Sequence, residues 1–140
     1  YGPLSGYGRD GLLHHYPRGL VARARGDLDG AIAHFRQAIY SPTHGYTRVN
    51  YELGQALLQR DRPAEAVRVL RSALQGGLES SNLYITRAEL HELLARAFER
   101  AGQPDSARAH HEWVALAWDG ADPLFAMRRE QAMRRLGGER

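Results

Sequence analysis

The stretch DRPAEAVRVLRSAL, residues 61–74, combines a turn with the start of a helix. Pro63 follows two polar residues, and proline is favoured in the first turn of a helix because the N–H that it lacks has no partner there. Ala66, Leu70 and Ala73 then recur four and three residues apart, which places them on one helical face. A small residue on such a face lets a neighbouring helix approach closely, and a large one fills the remaining space. The stretch therefore predicts a turn and a tightly packed amphipathic helix.

The same pattern occurs twice more, in GDLDGAIAHFRQAI at 26–39 and in GQPDSARAHHEWVA at 102–115. A further helical segment precedes the second and third turns, as TRVNYELGQALLQR and TRAELHELLARAFERA. The predicted unit is a helix, a tight turn and a second helix, present three times. The positions equivalent to the small–large–small pattern are Ala31, Phe35 and Ala38 in the first segment, and Ala107, His111 and Val114 in the third.

These units resemble the tetratricopeptide repeat, in which large and small residues occupy fixed offsets across about 34 residues. Leu53-Gly54 matches the Leu-Gly pair of the first helix in that family, whereas His111 stands where a large aromatic residue is usual. The resemblance covers roughly residues 12 to 121 and implies an all-α fold, a right-handed α-solenoid of about three helix–turn–helix units with a C-terminal capping helix. A weaker resemblance connects the chain to repeat regions of bacterial regulators and Ser/Thr kinases from GC-rich lineages.

The repeat pattern also predicts the domain organisation. The interval between the second and third units exceeds the usual period of the family by about seven residues, close to two helical turns, which favours a short loop near Gly76-Gly77 followed by a long helix. The predicted segments are an irregular Gly/Tyr-rich start at 1–11, three units at 12–45, 46–79 and 80–121, a capping helix at 122–136 and a tail at 137–140.

The capping helix is predicted from Asp122-Pro123, which reads as an N-cap and first helical residue. Solenoids need such a helix because the last repeat otherwise exposes an apolar face. We expect the cover to come from Leu124, Phe125, Ala132, Met133 and Leu136, with Arg128, Arg129, Arg134 and Arg135 in water.

The amino-acid composition limits the classes of function that this chain can have. The 140 residues are 43% hydrophobic and 25% charged, as in a single globular domain, and no apolar run is long enough for membrane insertion. The absence of cysteine excludes disulfides, thiolate catalysis and cysteine-ligated zinc. A net charge of +3 is small for a nucleic-acid-binding protein, so we expect no nucleic acid partner. The compartment stays open, since a start at Tyr1 is compatible with a processed, exported chain or with a fragment of a larger protein.

No catalytic, metal or cofactor site is predicted. His91 and His111 each precede a glutamate, as in the zinc motif HExxH, but alanine replaces the second histidine in both places. Gly6, Gly8 and Gly11 have the dinucleotide-binding spacing, yet no strand precedes them. The carboxylates of the third unit alternate with arginines, which favours a solvated face over acid–base catalysis.

The function implied by the resemblance is a non-catalytic scaffold that binds a protein or peptide in a concave groove lined by the first helix of each unit. The groove positions carried over from the family are Arg48, Tyr51, Gln55 and Gln59 in the second unit, and Glu89, Glu92, Arg96, Glu99 and Arg100 in the third.

Self-assembly is the alternative function. The ends of a solenoid are adhesive because each repeat buries its faces only against its neighbours, so copies of this chain can stack into an oligomer or filament. In that hypothesis the N-terminal segment docks on a neighbouring copy, with Tyr1, Tyr7 and Arg9 as the candidate contacts.

Overall fold

The computed structural model describes residue 12 and residues 14–38, 47–75 and 85–137, which contain seven helices and no strand. The predicted all-α helical-repeat solenoid is confirmed. Residues 76–84, which include the predicted loop, lie outside the described part. The helices are α1 (His15–Ala24), α2 (Leu28–Ala38), α3 (Thr47–Gln59), α4 (Pro63–Leu74), α5 (Arg87–Arg100), α6 (Pro104–Ala117) and α7 (Pro123–Gly137).

The turns inside the three hairpins α1–α2, α3–α4 and α5–α6 share one backbone geometry. Gly26, Asp61 and Gly102 occupy equivalent positions and have φ values of 82°, 59° and 70°. In each turn the next residue donates its N–H to the carbonyl five residues earlier, as Arg62 does to Leu57 at 2.8 Å. This is the Schellman arrangement, which satisfies the last carbonyls of the first helix and reverses the chain.

Local signals mark the starts of three helices. Pro63 and Pro104 lie in the first turns of α4 and α6. Thr86 and Glu89 form a capping box at the start of α5, in which the Glu89 N–H donates to Thr86 Oγ1 and the Thr86 N–H donates to Glu89 Oε2. These contacts satisfy backbone donors that the helix itself leaves unpaired.

The two helices of each hairpin approach closely at one small residue. A Cβ atom at Gly19 would lie 2.6 Å from ring atoms of Phe35, and one at Gly54 would lie 2.7 Å from Cδ2 of Leu70. The third hairpin has the buried Ala95 at the equivalent position. Close packing around these positions produces a continuous core through the first six helices.

Alternate helices also touch, since α1 contacts α3 and α3 contacts α5. The odd-numbered helices therefore form one layer and the even-numbered helices pack behind it. At the C-terminal end, α7 packs on the last hairpin through a second small core of Ala88, Val114, Trp118 and Ala132, with Phe125 against it. This places α7 beside α5 and adds a fourth helix to the layer.

Candidate interaction groove

Polar side chains of α1, α3, α5 and α7 meet on one surface, which we call the groove face. At its N-terminal end, Arg23 donates through Nη1 to Gln55 Oε1 at 2.6 Å and lies 2.7 Å from Glu52 Oε2. The guanidinium of Arg48 lies 4.3 Å above the centre of the Tyr16 ring. These contacts join the first and second hairpins by charge and by cation–π attraction.

Burial changes the chemistry of two side chains here. It raises the pKa of the Glu52 carboxyl, while the positive charge of Arg23 acts in the opposite direction. Burial and the charge of Glu89 raise the pKa of Tyr51, whose hydroxyl is hydrogen-bonded to Gln55. Tyr51 also packs against the core, so it contributes to folding as well as to the surface.

Further along the groove face, a carboxylate pair on α5 holds an arginine of α7. Arg128 Nε donates to Glu92 Oε1 at 3.1 Å and its Nη2 donates to Glu92 Oε2. Its Nη1 donates to Glu89 Oε1 at 3.4 Å. The fork of the guanidinium is thus filled by two glutamates, a geometry that lysine cannot reproduce.

Arg128 is also held by aromatic rings. Its guanidinium lies 4.6 Å from the centre of the Trp118 ring and 5.5 Å from that of Phe125. Its side chain is 24% exposed, and the hydrogen bond to Glu92 is the main cause of its raised pKa. Arg128 therefore fastens α7 to α5 and is not available to a partner.

A third polar contact involves a buried histidine. Nε2 of His111 lies 3.0 Å from Glu99 Oε1, and Arg135 Nε approaches the same oxygen at 3.7 Å. Nδ1 of His111 is buried and has no hydrogen-bond partner among the described residues. The large aromatic residue that is usual at this position would bury no such nitrogen. The histidine therefore carries the free-energy cost of a buried Nδ1 that is unpaired among the described residues, which the contact of its Nε2 with Glu99 offsets.

A cavity of about 330 Å³ opens between α5 and α7, next to these contacts. Arg96 is exposed at its wall and has no ion pair among the residues that the structure describes. Arg100 has hydrogen-bond partners within the chain, since it donates to the Leu58 carbonyl at 2.7 Å and to Asp61 at 2.8 Å. The lining residues are Glu92, Arg96, Glu99, Arg100, His111, Arg128, Gln131, Ala132 and Arg135.

Comparison with known proteins agrees with this architecture. A family model described as tetratricopeptide repeat matches residues 22–90. The chain contains a tetratricopeptide repeat domain. A search of curated proteins finds no match. The matched range runs from within α1 to within α5, so it covers the first two hairpins and the start of the third.

The groove residues that we carried over from the tetratricopeptide family differ in what they contact. Arg48 and Gln55 contact α1, Tyr51 packs against the core, and Glu89, Glu92, Glu99 and Arg100 take part in the polar contacts of α5 described above. Gln59 and Arg96 are exposed. Tyr1, Tyr7 and Arg9 lie outside the described residues. The structure thus brings four of the nine together around the cavity, Glu92, Arg96, Glu99 and Arg100.

The contacts of α7 differ from those that the sequence predicts. Arg128 was expected in water and is instead bound by two glutamates, and Arg129 donates to the Ala115 carbonyl at 2.9 Å. Two residues expected to cover the last repeat, Leu124 and Met133, are exposed. The period of a helix identifies which residues share a face, but a charged residue on the buried side becomes recognisable only when its partners on another helix are known.

Two kinds of site are not found in the part of the chain that the structure describes. No cluster of three or more histidine, aspartate or glutamate side chains is arranged to hold a metal ion there. None of the helices described is long and apolar enough to cross a membrane.

Proposed function

We propose that this chain is a non-catalytic scaffold that binds a protein or peptide partner on the groove face, at the cavity between α5 and α7. Tetratricopeptide repeats are typically interaction domains without catalytic activity. The observation that carries the location is Arg96, a cation that is exposed at the wall of a polar cavity and has no ion pair among the described residues. The other predicted groove cations, Arg48 and Arg100, already have partners within the chain.

The charge around the cavity indicates the chemistry of the partner. Four arginines line it against two glutamates, and both glutamates already have contacts, Glu92 with Arg128 and Glu99 with His111 and Arg135. A partner therefore meets an excess of positive charge with free N–H donors at Arg96. A carboxylate matches the planar fork of a guanidinium and can accept two hydrogen bonds from it. We infer that the bound segment presents an aspartate or glutamate at this point.

The proposal is tested by selecting peptides from a displayed random library on the immobilised chain and measuring synthetic hits by fluorescence anisotropy. Selected peptides are expected to be enriched in aspartate and glutamate. Arg96→Glu should weaken their binding at least about tenfold, because a charge-assisted contact is replaced by repulsion. Arg68→Glu is the matched control, since Arg68 is 77% exposed on α4 and does not line the cavity.

The two variants make the same change in net charge, so a general electrostatic attraction predicts equal losses for both. Equal losses, or binding that is insensitive to Arg96→Glu, would contradict the groove hypothesis. Far-ultraviolet circular dichroism of both variants should match the unmodified chain, because neither side chain is buried.

Self-assembly remains a second candidate because of exposed apolar side chains on the last two helices. Leu116 of α6 is 79% exposed, and Leu124 and Met127 of α7 are 60% and 58% exposed. Leu124 and Met127 lie one helical turn apart and so share a face of α7. Exposed apolar surface of this kind marks interaction sites in many proteins.

If these residues drive assembly, light scattering of the purified chain should show a mass that rises with concentration. Leu116→Glu together with Met127→Glu should return it to a single chain, because a charge at a buried contact is strongly unfavourable. A monodisperse single chain in the unmodified protein would exclude assembly by this surface at the concentrations measured.

A further inference from the structure

Two histidine pairs occur at the same place in two different hairpins. His15 of α1 faces His34 of α2, and His91 of α5 faces His110 of α6, and the members of each pair are 19 positions apart in the chain. Each pair joins the two helices of its own hairpin. His15 precedes Ala31 by the same number of residues as His91 precedes Ala107, so the two pairs share one register relative to the repeat pattern.

The middle hairpin has different chemistry at this register. Asn50 of α3 and Val69 of α4 occupy the equivalent positions, and neither titrates. The chain therefore contains its own comparison, with two hairpins joined by imidazoles and one that is not.

The ring nitrogens of each pair point at one another. The Nδ1 atoms are 3.1 Å apart in the first pair and 2.7 Å apart in the second, while the ring centres are 5.4 Å and 4.8 Å apart. In both pairs the distance between the ring centres exceeds the distance between the Nδ1 atoms by close to two ring radii. The two nitrogens therefore lie nearly on the line between the ring centres. That is the geometry of a hydrogen bond from one N–H to one lone pair. In a metal chelate, by contrast, the two lone pairs would point to a common position beside this line.

Such a pair holds one proton between two nitrogens. Each neutral imidazole has one N–H and one acceptor nitrogen, so the bond forms when one ring donates through Nδ1 and the other accepts there. Protonating the acceptor turns it into a second donor and leaves two N–H groups face to face. The contact between the two helices then changes from attractive to repulsive.

The surroundings of the second pair oppose that protonation. His91 stacks on Trp113 with ring centres 4.0 Å apart, and His110 stacks on Phe98 at 5.4 Å. Burial lowers the pKa of His91 to about 4, and burial is also the main cause of the lowered pKa of His110. The charged or titratable groups that act on the pair come from three helices and are basic, namely Arg71 of α4, Arg87 of α5 and His111 of α6.

The first pair has similar but weaker constraints. The pKa of His15 is lowered by desolvation and by the neighbouring His14, His34 and Arg18. Both rings are only partly buried, and His14 stands in water beside them. We therefore expect the larger effect in the third hairpin.

We propose that the paired imidazoles are proton-operated fasteners of the first and third hairpins, which loosen on acidification while the middle hairpin holds. Because α5 carries Glu89, Glu92 and Arg96, loosening α5 from α6 also disturbs the groove face. That last consequence rests on the proposed function. The loosening itself does not, and it can be measured without a partner.

The direction of the pH dependence follows from the lowered pKa values. When the pH falls below the ordinary histidine pKa of 6.5, the unfolded chain binds protons that the folded pair does not bind. The stabilisation from the pair is thus complete above pH 6.5 and is lost as the pH falls from there towards about 4, where His91 itself becomes protonated.

The test compares the unmodified chain with the double variant His91→Asn and His110→Val, which copies the residues of the middle hairpin. The thermal midpoint of the unmodified chain should fall by about 5–10 °C between pH 7.5 and pH 5. The double variant should lose less than half as much, and what it loses measures the contribution of all other groups. Equal losses in both proteins would overturn the proposal.

A second measurement uses the unmodified chain and does not depend on the folding of a variant. After resonance assignment, the ring protons of His91 and His110 are followed by NMR during a pH titration. His91 is expected to titrate near pH 4 and His110 below a free imidazole, with the Trp113 signals shifting in the same step. Titration of His91 near pH 6.5 with Trp113 unchanged would also overturn the proposal. If the pair titrates as proposed while peptide binding is unaffected by pH, the proposal for the histidine pairs stands and only the groove hypothesis is contradicted.

Discussion

Replacing Phe35 with alanine is expected to destabilise the chain by about 3–5 kcal/mol, a large part of the stability of a small domain. Phe35 is fully buried, and its ring fills the space where α1 and α2 meet at Gly19. Removing the ring leaves a cavity that two helices held by a tight turn can close only in part. Urea denaturation followed by circular dichroism measures the change.

Gly19 provides a check on this explanation. In the unmodified chain, Gly19→Ala should cost about 1–3 kcal/mol because the added Cβ meets the Phe35 ring at 2.6 Å. In the Phe35→Ala background the same change should be neutral or stabilising, since alanine is the better helix former by about 1 kcal/mol. A double-mutant cycle between the two positions isolates this coupling. Additive effects would show that ring and glycine do not share one space.

The second large effect is expected at Arg128. Arg128→Ala should cost about 2–3 kcal/mol, because it leaves two carboxylates, Glu89 and Glu92, each less than a quarter exposed, without their common partner. It also removes the cation from the rings of Trp118 and Phe125. We expect α7 to loosen first, which makes its amides exchange faster with solvent in a hydrogen-exchange measurement.

Arg108→Ala is the matched control for Arg128→Ala. Arg108 makes one ion pair, with Glu112 on its own helix, and its side chain is 51% exposed. Such a pair contributes only about 0.3–0.5 kcal/mol. If the two variants unfold at the same denaturant concentration, the contact between α5 and α7 does not stabilise the domain in the way that its geometry indicates.

Local features of the fold could be predicted because they depend on neighbours in the chain. Pro63 and the capping box of Thr86 and Glu89 begin helices where the sequence indicates, and Ala66 and Leu70 lie on the buried face. A helical period and a turn residue are properties of a few consecutive positions, so they can be recognised without knowledge of the rest of the molecule.

The candidate site was predictable only in part. The family resemblance located Arg96 and Glu92, which line the cavity, but it did not distinguish the free cation from the paired carboxylate. Arg128 carries no local sign of its role, because its spacing on α7 is compatible with water as well as with burial. The histidine pairs were equally hidden, since adjacent histidines such as His110 and His111 point to different partners.

The sequence by itself determined the three helical hairpins and the small–large pattern along the second helix of each, because both arise from residues within one helical turn or one tight turn of each other. Only the tertiary structure decided which charges are neutralised within the chain, that Arg128 of α7 binds α5 on the groove face, and that imidazoles from opposite helices face each other. The contacts of Arg128 with the glutamates and those of the paired imidazoles join residues between 19 and 39 positions apart. Their geometry depends on how the helices pack, which periodicity within any one helix does not specify.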